Sequence, residues 1–147
     1  MENKMVVVAK GILLHQGKAL IVKRADNDEI GGGTWEFAGG NLQFGESPEE
    51  ALQREYREET GLAVTVQRLL YVTSFQTNPH RQVVLITYLC GCDDVSTLQL
   101  SPEHSACQWA DRATLQHCLA SGIAEDIGRN HLWHMFSKEE KEEKSCH

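Results

Sequence analysis

Glu55, Glu58 and Glu59 crowd three carboxylates into five residues, downstream of Gly39-Gly40 and an isolated Glu46, in the stretch GNLQFGESPEEALQREYREETGL that begins at Gly40. Acids grouped this densely repel one another, and a divalent cation relieves both that repulsion and the cost of taking them out of water. Hard oxygen donors favour Mg²⁺ or Mn²⁺ over zinc, and Mg²⁺ keeps several waters while bridging protein carboxylates to phosphate. One such water is a ready nucleophile. The pattern points to metal-assisted chemistry at a diphosphate.

A helix must set the directions of these acids. Ser47, Pro48 and Glu50 supply an N-cap, a proline at the first helical position and the reciprocal capping glutamate, and Gly61 supplies the stop. Stepping about 100° per residue from Glu55 puts Glu58 and Glu59 within an arc of about 100° around it, beside Ala51, Leu52 and Leu62. Burying this helix by its apolar residues is expected to carry all three carboxylates inward. The plainer reading is a solvated charged helix, for which Glu50 with Arg54 and Gln53 with Arg57 have neighbour spacing. The inward acids and the preceding double glycine, whose missing Cβ atoms let backbone approach a ligand, weigh against it.

The flanking segments read as a scaffold of strands. Residues 5–14 and 18–23 are β-rich and separated by Gln16-Gly17, a hairpin signal. Residues 26–33 form a glycine-ended loop, and 34–37 a short strand. Residues 62–75 and 82–92 are rich in Val, Leu, Ile, Thr and Tyr and suit long strands, with 76–81 as a loop between them. A strand at 106–110 is followed by a helix capped by Asp111 that runs through Ala120 and ends near Gly122, then by a helix within 123–136. Interleaved strands and helices imply an α/β sandwich in one domain, residues 1–136, with a charged tail at 137–147.

At 147 residues and a net charge of −7, the chain has no basic surface for a nucleic-acid polymer, so phosphate must be attracted locally by metal and a few cations. Five cysteines without a CxxC pair suit reduced thiols, and Cys90 and Cys92 share one strand face as buried small residues. No signal-like or membrane-spanning run is present, so a cytoplasmic, membrane-free protein is expected.

Gly40, Glu46, Arg54, Glu55, Glu58, Glu59, Gly61 and Leu62 occupy the fixed positions of the box of the Nudix hydrolases, G-x5-E-x7-R-E-U-x-E-E-x-G-U with U aliphatic, and only Tyr56 departs from it. The chain resembles that family, and the resemblance implies a mixed sheet between helices. It also implies that Glu55, Glu58 and Glu59, with the Gly39 carbonyl, bind the metals, that Arg54 orients a glutamate, and that Glu103 in SPEHSACQW completes the site. The proton acceptor is left open, with Glu55 and then Glu103 as candidates. Tyr56 is expected at the flank of the buried arc with its hydroxyl in water. Ala38 stands where many relatives carry proline, and no ligand is lost.

By the same resemblance the substrate is a nucleoside diphosphate linked to another moiety. The compact chain is most similar to short MutT-like members that turn an NTP or dNTP into NMP and pyrophosphate. Hydrolysis of ADP-ribose or a nucleotide sugar is the alternative, and a noncatalytic nucleotide-binding regulator is a third reading that the intact glutamates disfavour. Family habit favours a homodimer. Arg24, His80 and Arg81 are candidates for phosphate or ribose contacts, Arg24 first. Trp35, Phe37, Phe75, Trp109 and Trp133 are read as core, and His131 with His134 as surface histidines at helical spacing. Glu125-Asp126 with Trp133 are distantly similar to a base pocket in the family and are not assigned to the site.

Overall fold

Gln16 and Gly17 take positive φ of 55° and 80°, as a two-residue hairpin turn requires, and join β1 (Lys4–His15) to β2 (Lys18–Arg24). The computed structural model describes residues 2–26 and 32–138. Most of the predicted 26–33 loop and most of the charged tail therefore lie outside the described residues. The chain continues through β3 (Trp35–Glu36), β4 (Gly39–Asn41), α1 (Pro48–Thr60), β5 (Thr65–Asn78), β6 (Arg81–Gly91) and β7 (His104–Ala110). It ends in α2 (Arg112–Cys118), α3 (Ser121–Arg129) and a 3₁₀ turn at Trp133–Met135.

The strands order as β3-β2-β1-β6-β5, with β4 added to β1 and β7 to β2. β1 and β6 run parallel and the remaining pairs antiparallel, so the sheet is mixed, as expected. Period-two alternation divides the core. Ile12, Ile21 and Tyr71 pack against Leu115, Ile127 and Phe136, whereas Leu13, Leu20, Val22 and Cys90 pack against Leu52 and Tyr56 of α1. Each sheet face is thereby covered by helix. No described helix is long and apolar enough to cross a membrane.

Several elements differ from the sequence-based expectations. The 76–81 loop is a tight turn, because the ladder persists to Asn78↔Arg81 and the Asn78 side chain accepts from the His80 N–H at 2.8 Å. The first C-terminal helix stops at Cys118: Leu119 is extended and bridges Trp35, whose carbonyl accepts from Ala120 N–H. Gly122 thus lies inside α3. That helix ends at Arg129, and His131 has φ 57°, so His131 and His134 share no helical face.

Tyr56 also corrects its expectation. Its ring is fully buried and its hydroxyl donates to the Gly11 carbonyl at 2.9 Å instead of reaching water. Tyr56→Phe is expected to cost about 1 kcal/mol, read as a lower urea midpoint with turnover retained. An unchanged midpoint would mean that this hydrogen bond adds nothing.

Candidate active site

α1 begins as its sequence dictates, with both hydrogen bonds of the Ser47–Glu50 capping box formed and Gly61 left-handed at the C-terminus. Beside it runs β4. A Cβ on Gly39 would collide with the Ala9 carbonyl, and one on Gly40 would stand 2.5 Å from the Glu55 carboxyl carbon. Gly39 thus lets β4 close on β1, and Gly40 lets the Glu55 carboxylate lie against this strand.

Arg54 ties the region together. Its Nε and Nη2 donate to both oxygens of Glu46 at 2.7 and 2.9 Å, Nη1 reaches Glu55 at 3.0 Å and Glu58 at 3.3 Å, and Nη2 also donates to the Asn41 carbonyl. The Arg54 hydrogen bonds and the Gln43 N–H hold the Glu46 carboxyl below its ordinary range. The guanidinium thus fixes the loop before α1 and one face of the helix with planar, bidentate geometry that lysine lacks.

Glu55 and Glu59 line one end of a cleft of about 1110 Å³. Glu59 is 3% exposed, and its Oε2 is buried without a partner. Burial, opposed by Lys10 and reinforced by Glu55 and Glu103, pushes its carboxyl up to about 9. Glu58 differs from the expectation of three inward acids: its side chain is 60% exposed and turned to Arg54. The buried stripe of α1 centres on Leu52, Tyr56 and Glu59, one step round from Glu55, and this leaves Glu58 at the rim.

Behind Glu59 stands a second charged cluster. Glu36 accepts from Lys10 at 3.4 Å and Arg24 at 3.2 Å, and His104 Nε2 lies 3.3 Å from it. Burial alone would raise the Glu36 carboxyl, but the His104 hydrogen bond, Lys10 and Arg24 outweigh it and hold it at about 2. Neither Glu36 nor His104 was singled out from sequence. The signal available was Glu36 between Trp35 and Phe37, a charge placed across the strand from two core aromatics.

Of the remaining candidates, Arg24, Arg81, Gly39 and Glu103 line the cleft. His80 does not: it caps the β5–β6 turn with its ring 3.1 Å from the Asn3 side chain. Trp35 and Phe37 are core, Trp109 packs tilted against His15 and Trp133 meets Phe136 edge-on. Phe75 is the exception among the aromatics read as core. It is 46% exposed and lines the cleft beside its cross-strand partner Val83, and Leu85, Asp126 and Arg129 belong to the same lining. Burial, opposed by Arg129, raises the Asp126 carboxyl.

Among the described residues, no three acidic, histidine or cysteine side chains gather closely enough to enclose an ion. Glu55 and Glu59 nevertheless fit a hard cation. The open Oε2 of Glu59 and the cost of burying that carboxylate call for positive charge, and Mg²⁺ completes its shell with waters and phosphate oxygens.

Glu55 and Glu59 beside the Gly39-Gly40 backbone, lining one large cleft, form the candidate active site. The chain belongs to the NUDIX domain family, whose model matches residues 5–129. It is 38% identical over 119 residues to a CTP pyrophosphohydrolase of Escherichia coli (strain K12), covering 80% of this chain and 84% of that protein. The solution structure of the E. coli ORF135 protein is similar at a TM-score of 0.70 and 32% identity, covering 90% of each chain. A MutT protein from Methanosarcina mazei Go1 shares the fold at a TM-score of 0.78 and 22% identity, covering 89% of this chain and 96% of that one. The protein is accordingly a Nudix hydrolase of the nucleotide pyrophosphohydrolase type.

Proposed function

We propose that the protein hydrolyses nucleoside triphosphates or their deoxy forms to the monophosphate and pyrophosphate, using Mg²⁺ or Mn²⁺. The observation that carries this reading is the spread of one cleft along the sheet: Glu55 and Glu59 beside the Gly39-Gly40 backbone, which pairs with Lys10 and Ala9 of β1, and, displaced from them, a half-exposed Phe75 whose partner Val83 pairs with Val6. A nucleotide has that same division between phosphates and base. A relative with matching coverage that cleaves CTP supports it.

In this reading Glu55 and Glu59, with the Gly39 carbonyl, hold the cation, and Glu58 contributes from the rim. When bound, the cation neutralises charge on the phosphate oxygens and acidifies the attacking water. Arg54 keeps Glu55 oriented through the 3.0 Å bond. The water's proton passes to Glu55, with Glu103, which lines the same cleft and whose charge acts on Glu59, as the second acceptor. Arg24 faces the phosphates, and Phe75 stacks on the base, with Arg81 beyond it on the sheet as a contact on the nucleoside side.

Product analysis with Mg²⁺ across CTP, dCTP, GTP, dGTP, ADP-ribose and nucleotide sugars tests the assignment. Triphosphates are expected to give monophosphate and pyrophosphate faster than the other substrates are cleaved. Faster cleavage of ADP-ribose or a nucleotide sugar would transfer the function to that class. Phe75→Ala should raise KM for the preferred triphosphate by about tenfold at unchanged kcat, as expected for lost stacking. An unchanged KM would remove Phe75 from the base site.

A further inference from the structure

We propose that His104 is a positioning residue for Glu59, anchored by Glu36, and that it aims the Glu59 carboxylate at the cation. The inference rests on the proposed metal role of Glu59. His104 begins β7 and its side chain is 3% exposed. Its Nε2 stands between two acids, 3.3 Å from Glu36 Oε2 and 3.6 Å from Glu59 Oε1. Nε2 hydrogen-bonds Glu36, and the small gap to Glu59 leaves it able to turn to that carboxylate when a cation draws the other oxygen away.

The two acids are not equivalent. Glu36 is immobilised by Lys10 and Arg24 as well as His104, so it is a fixed point. Glu59 Oε1 has His104 Nε2 at 3.6 Å, in ion-pair range but beyond a hydrogen bond, while its buried Oε2 has no hydrogen-bond partner. A carboxylate with a fixed ring nitrogen beside one oxygen and the other oxygen open is arranged to give the second to an ion, and the outer partners of metal ligands serve this purpose.

Backbone geometry ties the same residues together. The segment leading to β7 is laced to the last carbonyls of α1: Gln99 N–H donates to Thr60 O at 2.8 Å and Ser101 N–H to Glu59 O at 2.9 Å. The ordinary alternative is a histidine that merely fills the core. Such a residue normally has both ring nitrogens satisfied, yet His104 Nδ1 is buried without a partner, so the ring is placed for its Nε2 contact.

Asparagine and glutamine at this position separate the two roles, because the glutamine amide reaches the place of Nε2 and the asparagine amide only that of Nδ1. Mn²⁺ affinity of the full chain is measured by electron paramagnetic resonance of free Mn²⁺, with circular dichroism as the check on folding. His104→Asn is expected to weaken Mn²⁺ binding by about 10-fold or more, and His104→Gln to stay close to the parent, within the range seen for outer partners of metal ligands. Wild-type affinity in both variants, equal weakening in both, or a greater loss in His104→Gln overturns the proposal. Glu59→Gln is the control. If it loses Mn²⁺ while both His104 variants bind normally, only the positioning role fails. If Glu59→Gln binds like wild type, the metal role of Glu59 fails and the proposal with it.

Discussion

Glu59→Gln is expected to lower turnover by about 10³-fold, equivalent to about 4 kcal/mol of transition-state stabilisation, while the protein stays folded. Glutamine keeps the volume of a side chain packed in the core but offers no charge to a cation. Glu59 is the acid the fold has withdrawn from water beside a second carboxylate, where its charge acts with least screening. Glu58→Gln should act in the same direction and more weakly, since that side chain is largely solvated and shared with Arg54. Steady-state kinetics at saturating Mg²⁺ decide the order. Equal rates for Glu59→Gln and wild type would dissolve the site as described.

The second large effect is on stability. The unfolded chain ionises Glu59 near 4.5, whereas the folded, metal-free protein holds that proton until about 9. Between those values the folded state binds more protons, so this residue's contribution to stability is full below 4.5 and drains away as pH rises through about 9, by at most about 1.4 kcal/mol per pH unit. Mg²⁺ must displace the proton to bind, and its stabilisation should therefore be larger at pH 8 than at pH 6. Melting curves of wild type and Glu59→Gln from pH 5 to 9, with EDTA or Mg²⁺, are the measurement. The variant is expected to melt higher than wild type at pH 8 without metal and to lose the Mg²⁺ response. Parallel pH profiles for the two proteins would show that Glu59 is not the buried acid responsible.

α1 was legible because every determinant of it is local: the cap, the proline, the stop and the spacing of the acids lie within one stretch of chain. The hairpin at Gln16-Gly17 and the alternation along β1 and β2 were legible for the same reason. Glu58 was misplaced because Tyr56, read as a flank residue, is the centre of the buried stripe and turns the helix by one step. The break between α2 and α3 depends on Leu119 meeting Trp35, and the His104–Glu36 contact spans 68 positions. Pairings of that range leave no periodic mark in a single sequence. Phe75 belongs with them, since exposure of a strand aromatic depends on what the opposite wall of the cleft leaves uncovered.

The lacing of residues 99 and 101 onto the last carbonyls of α1 makes the β6–β7 connection a ruler whose zero mark is the helix end. Thr97 extends the same lacing through its hydroxyl on the Gly61 carbonyl, so extra length upstream of Thr97 can bulge outward at no expense to the catalytic end. A residue inserted between Ser101 and His104 would shift Glu103 out of phase with Glu59, so tolerance to insertion should change abruptly within a few positions of the same loop.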